Sequence, residues 1–296
     1  MSALHIQLED LFRHEWRPLY VGDRPRYATV TSVRLLDAGT LVCASLLARK
    51  IYLIRFDLEL GSYSVVDGID TVYRGALTQT DLCDTDGHGG VITSNCEGGN
   101  MSLYRIVNDK ISHERDLFTS LHGNYCHGAR FCGPDVVVAT ALREPRGVHF
   151  YDTQTMRRLL YVSTDRLPKD VCFLPGQRAI LVTTGGAPLP EKSGESSESS
   201  TSELQLIEYD LTRGTSTVIE RQQYTVRQLD AVTLYEDRLY VSDSHGGRVL
   251  VVDVNTLRQI DQIEGYAFPH GVDARYGMLA VTCYGTNSVH VSLIRS

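Results

Sequence analysis

Six imperfect copies of one strand pattern predict an all-β fold for this chain, a six-bladed β-propeller of four-stranded blades. Three observations support this prediction. The copies recur along most of the chain, each copy alternates polar and apolar residues in strand-length runs, and the last copy is short by one strand, which the N-terminus can supply. The predicted organisation is a single domain over residues 1–296.

The clearest copies are residues 229–265 (LDAVTLYEDRLYVSDSHGGRVLVVDVNTLRQIDQIEG) and residues 270–294 (HGVDARYGMLAVTCYGTNSVHVSLI). Each reads as a short apolar strand, a turn, a β-branched strand that ends in small polar residues, a polar loop and a third alternating strand. Gly, Asp and Asn separate these runs, as expected for hairpin turns. The six copies, 41 to 60 residues apart, begin near Ser32, Asp81, Gly128, Asp170, Asp230 and Gly271.

The fourth copy is the longest because of an insertion, GGAPLPEKSGESSESSTSE, at residues 185–203. This segment is rich in Pro, Ser and Glu and has no apolar periodicity, so it predicts a flexible surface loop.

The sixth copy ends after three strands, whereas the others have a fourth. Residues 3–11 (ALHIQLEDL) alternate correctly and belong to no copy of their own. We therefore expect the N-terminal strand to complete the sixth blade, because closure removes the exposed sheet edges of an open array.

Composition narrows the classes of function. Hydrophobic residues make up 42% of the chain, enough for a sizeable core, and the net charge of -7 argues against a nucleic-acid binder. The N-terminus lacks the pattern of a signal peptide and no run is long enough to span a membrane, so no membrane partner is expected. Seven scattered cysteines favour free thiols in a reducing cytoplasm.

The phrases LYVSDSHGGRVLVVD and PHGVDARYGMLAVTCYGTNSVHV resemble NHL repeats, in the six-bladed propeller superfamily that includes the gluconolactonase-like enzymes. The resemblance covers most of the chain in its strand pattern, and the last two copies are closest to it. It implies a site at one mouth of the central channel, on the loops that lead into the innermost strands and on the loops that join the second and third strands.

Two phrases at that mouth, CHGAR and PHGVD, place His127 and His270 before a glycine in opposite blades. In gluconolactonase-like enzymes similar phrases carry ligands of a divalent metal, and in the peptidylglycine amidating lyases histidines converge on zinc. The resemblance thus implies metal ligands at His127 and His270. A carboxylate at Asp81, Asp170 or Asp230 could complete the site, and Asp81 is the predicted third ligand, for zinc, manganese, iron or calcium. The alternative is that the histidines fill the axis and bond to backbone, and that glycine is present because a Cβ has no room.

Further residues are candidates for roles at the same mouth. Asp230, Asp170 and His245 are candidate catalytic residues, and Arg143, Glu97, Asn95 and Tyr284 are candidate substrate-binding residues. Two functions follow from these candidates. The first is an enzyme for a small-molecule substrate, a metal-assisted hydrolase or lyase. The second is a non-catalytic propeller that binds a protein partner or a ligand. Both functions stay open, because a propeller fold is compatible with either one.

Overall fold

The computed structural model describes residues 3–7, 19–21, 24–26, 29–74, 76–96, 98–117, 119, 125–185 and 201–294. These residues form six antiparallel four-stranded sheets. The innermost strands of neighbouring sheets contact each other in sequence, and the innermost strand of the sixth sheet contacts that of the first. The sheets therefore form a closed ring around a central channel, and the predicted six-bladed β-propeller is confirmed.

Each of the first three blades is formed by four strands that are consecutive along the chain. Blade 1 contains β4 (Val30–Asp37), β5 (Thr40–Ser45), β6 (Lys50–Asp57) and β7 (Ser62–Asp70). Blade 2 contains β10 (Cys83–Thr85), β11 (Gly90–Asn95), β12 (Asn100–Val107) and β13 (Lys110–Leu117). Blade 3 contains β14 (Cys126–Phe131), β15 (Val136–Ala141), β16 (Gly147–Asp152) and β17 (Arg158–Ser163).

The next two blades repeat this arrangement. Blade 4 contains β18 (Leu167–Leu174), β19 (Arg178–Thr184), β20 (Ser202–Asp210) and β21 (Thr215–Tyr224). Blade 5 contains β22 (Leu229–Tyr235), β23 (Arg238–Asp243), β24 (Arg248–Asp253) and β25 (Gln259–Glu264). Two short hairpins, outside the blades, pair β2 (Leu19–Val21) with β3 (Arg24–Arg26) and β8 (Val72–Tyr73) with β9 (Ala76–Leu77).

Blade 6 is closed by the N-terminal strand, as predicted. It contains β26 (Pro269–Arg275), β27 (Met278–Cys283) and β28 (Ser288–Leu293), and its outermost strand is β1 (Ala3–Gln7). The register of β1 on β28 pairs Leu4 with Val291 and Ile6 with Val289. Residues 8–11 of the predicted closing strand lie outside the described residues.

The core lies between adjacent blades, because the apolar face of each sheet packs against the next sheet. One buried cluster joins blades 6 and 1 and includes Ile6, Val33, Ile54 and Val289. Tight hairpins keep the strands in register. Asn108 and Asp109, for example, both adopt positive φ and connect β12 to β13, as two-residue turns of this kind require.

The fourth blade accommodates the insertion in the loop between its second and third strands. Strand β20 begins at Ser202, so the last two residues of the predicted loop at 185–203 belong to the sheet. Both Ser202 and Glu203 are buried. Residues 186–200 lie outside the described part of the chain.

The seven cysteines are free thiols, and five of them are buried. Within the described ranges, no helix is long and apolar enough to cross a membrane.

His149 on β16 gives the fold a pH-dependent stability. Its imidazole is buried, donates from Nε2 to the Pro145 carbonyl at 2.9 Å and stacks on Tyr161 with a centroid distance of 4.6 Å. Burial lowers the pKa of His149 to about 4, although the Pro145 carbonyl opposes this effect. In the unfolded chain the same group has a pKa of about 6.5, so the unfolded state binds a proton at a higher pH than the folded state does. As the pH falls below about 6.5, the free energy of unfolding therefore decreases.

We expect the free energy of unfolding to fall by about 2 kcal/mol between pH 7 and pH 5 through this group alone. Urea denaturation at the two pH values measures the loss. His149→Phe keeps a ring on Tyr161 but has no titrating group, so its loss over the same interval should be smaller by that amount. An equal loss in both proteins would contradict this assignment.

Candidate functional site

Each blade places one residue at the same mouth of the channel, in its innermost strand or just before it. In five blades this residue lies at a register shift of the first strand, a β-bulge. The ladder skips one residue in blades 1, 3 and 4 and two residues in blades 5 and 6. In blade 2 the equivalent residue is Asp81, as a shared hydrogen bond shows. The amide after Asp81, that of Leu82, donates to Ser94 Oγ, just as the amide after His127 in blade 3, that of Gly128, donates to Thr140 Oγ1. These six residues, here called the mouth ring, are Thr31, Asp81, His127, Lys169, Asp230 and His270.

The glycine after each ring histidine is required by the neighbouring blade. A Cβ on Gly128 would lie 2.7 Å from Thr140 Oγ1 and 3.2 Å from the Lys169 carbonyl oxygen. A Cβ on Gly271 would meet Thr282 Oγ1 at 3.0 Å and the backbone of blade 1 at a shorter distance. The His-Gly phrases therefore have a packing cause, whatever the imidazoles bind.

The two ring histidines are held by backbone carbonyls in the same way. His127 Nδ1 lies 2.8 Å from the Lys169 carbonyl oxygen, and His270 Nδ1 lies 2.9 Å from the Thr31 carbonyl oxygen. A carbonyl oxygen can only accept, so each Nδ1 carries the proton. In the neutral rings, each Nε2 therefore presents a lone pair, and these atoms lie 3.4 and 3.6 Å from the Asp81 carboxylate oxygens.

Asp81, His127 and His270 form a group that could hold a metal ion, since one ligand atom from each lies within 4.8 Å of the others. Asp81 is 4% exposed, and its Oδ1 atom has no hydrogen-bond partner among the described residues. Two imidazoles oriented through Nδ1 and one carboxylate also match the usual ligand types of zinc. The three residues therefore fit the metal ligands that the sequence predicts.

Lys169 and Asp230 form a charge pair beside this group. Lys169 Nζ lies 3.2 Å from Asp230 Oδ1 and 3.5 Å from His127 Nε2. Asp230 also accepts hydrogen bonds from Ser244 Oγ and from Gln228 Nε2. Burial alone would raise the pKa of the Asp230 carboxyl, but the Lys169 ammonium holds that pKa well below its usual range.

The charge state of His127 follows from the same surroundings. Burial lowers the pKa of its imidazole; the Asp81 carboxylate opposes this effect and the Lys169 ammonium adds to it. His127 is therefore neutral at neutral pH, with its Nε2 lone pair available as an acceptor.

A cavity of about 560 Å³ opens above the mouth ring and is here called the mouth cavity. Five of the six ring residues line it; Asp230 is completely buried and lies against Lys169. The side chains that form the wall are mostly apolar or aromatic: Leu46, Tyr125, Leu142, Leu167, Phe268 and Tyr284. The cavity therefore combines a polar floor with an apolar wall.

A second set of charged residues lies further along the channel and is here called the inner belt. It consists of Arg34, Asp84, Arg130, Asp170 and Asp273. Arg34 Nε donates to Asp84 Oδ1 at 3.0 Å, and Arg130 Nε donates to Asp170 Oδ1 at 2.8 Å. Asp170, a candidate catalytic residue, thus lies in the inner belt and is bonded to Arg130 rather than exposed in the mouth cavity.

The structure brings together only some of the other candidates. Arg143 and Tyr284 line the mouth cavity. Asn95 is buried within blade 2, where its Nδ2 atom donates to Ser102 Oγ at 2.9 Å. His245 is exposed outside the cavity lining, with its ring 5.1 Å from that of Phe268. Glu97 lies outside the described residues.

Sequence reasoning gave no role to Lys169 or to the inner-belt arginines. Arg34 and Arg130 are at the same position of blades 1 and 3, since both come three residues after a mouth-ring residue. Alignment of the six copies could have found this shared position. Each charge pair joins two different blades. The partner of each arginine therefore depends on how the ring closes and cannot be predicted from the alignment of the copies.

Three solved structures share the propeller fold with this chain. The WD40 beta propeller domain of Doa1 aligns with a TM-score of 0.62 and 11% identity, over 90% of this chain and 94% of that one. Saccharomyces cerevisiae Sqt1 aligns with a TM-score of 0.51 and 12% identity, over 87% of this chain and 82% of that one. The computationally designed Ika8 protein aligns with a TM-score of 0.50 and 12% identity, over 90% of this chain and 71% of that one.

No protein-family profile and no curated protein matches the chain. At such low identity the structural likeness shows the fold alone. The assignment to NHL-repeat or gluconolactonase-like proteins therefore stays a prediction, and function has to be argued from the mouth cavity.

Proposed function

We propose that this propeller is a non-catalytic binding module that holds a ligand, or a side chain of a partner protein, in the mouth cavity. The single observation that carries the proposal is the make-up of this cavity, with an apolar and aromatic wall above a floor of polar ring residues. Its volume of about 560 Å³ lies within the range of small-molecule pockets, which share this combination of surfaces.

The state of the candidate catalytic groups supports binding over catalysis. Asp230 is fully buried and paired with Lys169, and its depressed pKa keeps it charged, so it is a poor proton acceptor near neutral pH. Asp170 is bonded to Arg130, and His245 lies outside the cavity lining. These contacts support a site that positions charges in advance of ligand binding rather than one that moves protons.

A metal-assisted hydrolase or lyase is the second candidate function, and one observation favours it. The Asp81 Oδ1 atom is buried without a partner among the described residues, and the two oxygens of this carboxylate lie beside two imidazole Nε2 atoms, Oδ2 beside that of His127 and Oδ1 beside that of His270. When bound there, a divalent metal such as zinc would polarise a carbonyl group or activate water. In such an enzyme Asp81, His127 and His270 would hold the ion, and the Lys169 ammonium would stay paired with Asp230.

A methyl NMR screen of the full chain against a fragment collection tests the binding proposal. We expect the binding fragments to shift the methyl signals of Leu46, Leu142 and Leu167 in the cavity wall, and to stay chemically unchanged with and without added zinc. Leu142→Trp places a large ring in the cavity and should weaken these fragments at least tenfold, about 1.4 kcal/mol.

Leu60→Trp is the matched control, because Leu60 is 78% exposed on the outer surface and its replacement should leave binding unchanged. Fragments that shift only signals far from the mouth would contradict a binding site there. Zinc-dependent turnover of a fragment, lost in His127→Ala, would instead establish the enzyme.

A further inference from the structure

The floor of the mouth cavity has more hydrogen-bond acceptors than donors. Asp81 Oδ1 has no partner among the described residues, and it lies 3.6 Å from His270 Nε2. That nitrogen is itself an acceptor in the neutral ring, since the proton is on Nδ1 and is donated to Thr31. A second carboxylate oxygen, Asp230 Oδ1, lies 3.9 Å from the same nitrogen but is already paired with Lys169 Nζ and Gln228 Nε2. Two acceptors, Asp81 Oδ1 and His270 Nε2, thus face each other, and a donor between them would relieve their repulsion.

The charge pairing within the ring specifies what kind of donor fits. Asp230 Oδ1 is paired with the Lys169 ammonium at 3.2 Å, whereas Asp81 Oδ1 has no hydrogen-bond partner among the described residues. A cationic donor would supply both the proton and the positive charge that the Asp81 carboxylate oxygen can accept.

The wall of the cavity specifies the body of the ligand. Leu46, Leu142 and Leu167 offer contacts to a methylene chain. The rings of Phe268 and Tyr284, with centroids 5.6 Å apart, stand above the floor, where an aromatic face attracts a cation. A small hydrated ion would leave this apolar surface without a partner.

We propose that the mouth cavity binds a primary ammonium group on a short alkyl chain, the chemistry of a lysine side chain or of a small alkylamine. This proposal deepens the binding function proposed above and rests on it. The N–H donors of an ammonium can bond to both acceptors, Asp81 Oδ1 and His270 Nε2. The methylene chain lies along the leucines.

Titration of the full chain with two pairs of probes tests this proposal by methyl NMR at pH 7.5. The first pair is n-butylamine, charged at this pH, and 1-butanol, its neutral counterpart. The second pair is acetyl-Gly-Lys-Gly-amide and the same peptide with norleucine in place of lysine. We expect each charged probe to bind at least tenfold more tightly than its neutral partner and to shift the cavity methyl signals.

Variants locate the charge that is recognised. Asp81→Asn should weaken n-butylamine at least tenfold, because a charge-assisted hydrogen bond is lost. Asp261→Asn removes the same charge from an exposed position on β25 and should leave the affinity unchanged. If Asp81→Asn fails to fold, the affinities of the native chain for the charged and neutral probes are sufficient to test the ammonium proposal.

The outcomes separate this proposal from the function on which it rests. Equal affinity for n-butylamine and 1-butanol would overturn the ammonium proposal and leave the binding module standing. No response to any probe, together with a failed fragment screen, would remove both. Binding of n-butylamine without binding of the lysine peptide would support a free amine as the ligand, and tight binding of both would support a protein partner. Stoichiometric zinc that excludes n-butylamine would overturn the proposal in favour of a metal site.

Discussion

A chain that begins after Gln7 is expected to lose most of its folding free energy and to aggregate. Strand β1 would be missing from blade 6, so β28 would become an exposed edge with unpaired backbone groups. The loss also uncovers the core cluster between blades 6 and 1, where Ile6 is fully buried and Leu4 is 6% exposed. Burial of two such side chains contributes about 3 to 6 kcal/mol, a large part of a typical total stability.

Size-exclusion chromatography and urea denaturation measure this effect. A milder change, Ile6→Ala, should lower the free energy of unfolding by about 2 to 5 kcal/mol, because it leaves a cavity in that cluster. Leu293→Ala is the control on the same sheet, since Leu293 is 55% exposed, and it should cost less than about 0.5 kcal/mol. A truncated chain that stays monomeric with an unchanged urea midpoint would show that ring closure does not need β1.

The closure could be predicted from sequence because it depends on strand pattern alone. The alternation in ALHIQ assigns Leu4 and Ile6 to one face, and the structure buries both. The missing strand of the last copy then leaves one place for it. The end of the insertion does not follow from strand pattern in the same way, because Ser202 and Glu203 are polar although both are buried in β20.

The sequence predicts four members of the mouth ring, Asp81, His127, Asp230 and His270, but not the contacts between them. Each ring residue comes from a different blade, so distances between them depend on ring closure and not on any local pattern. The bulge of β18 illustrates this limit. It assigns Lys169 to the mouth and its neighbour Asp170 to the inner belt, a separation that two adjacent polar residues cannot show in sequence. The pairing of Lys169 with Asp230 keeps the Asp230 carboxylate charged, which argues against the catalytic role proposed for it from sequence.

The second large effect on stability is expected from the inner belt. We expect Arg130→Met to lower the free energy of unfolding by about 3 to 5 kcal/mol, because it leaves Asp170 buried without its bidentate partner. Urea denaturation measures this loss. The exposed pair of Arg55 and Asp109 is the control, with its atoms 2.6 Å apart, and Arg55→Met should cost less than about 1 kcal/mol.

The pH dependence of this variant separates a lost charge pair from lost packing. Burial raises the pKa of the Asp170 carboxyl in the native protein, and the nearby Arg34 guanidinium opposes that effect. Without Arg130 the pKa rises further, so the folded variant binds a proton that the unfolded chain releases above about pH 4. The cost of Arg130→Met should therefore grow between pH 5 and pH 8, and Asp170→Asn in the same chain should recover much of it. A cost that is equal at both pH values would mean that the arginine acts through its volume, since packing volume does not change with pH.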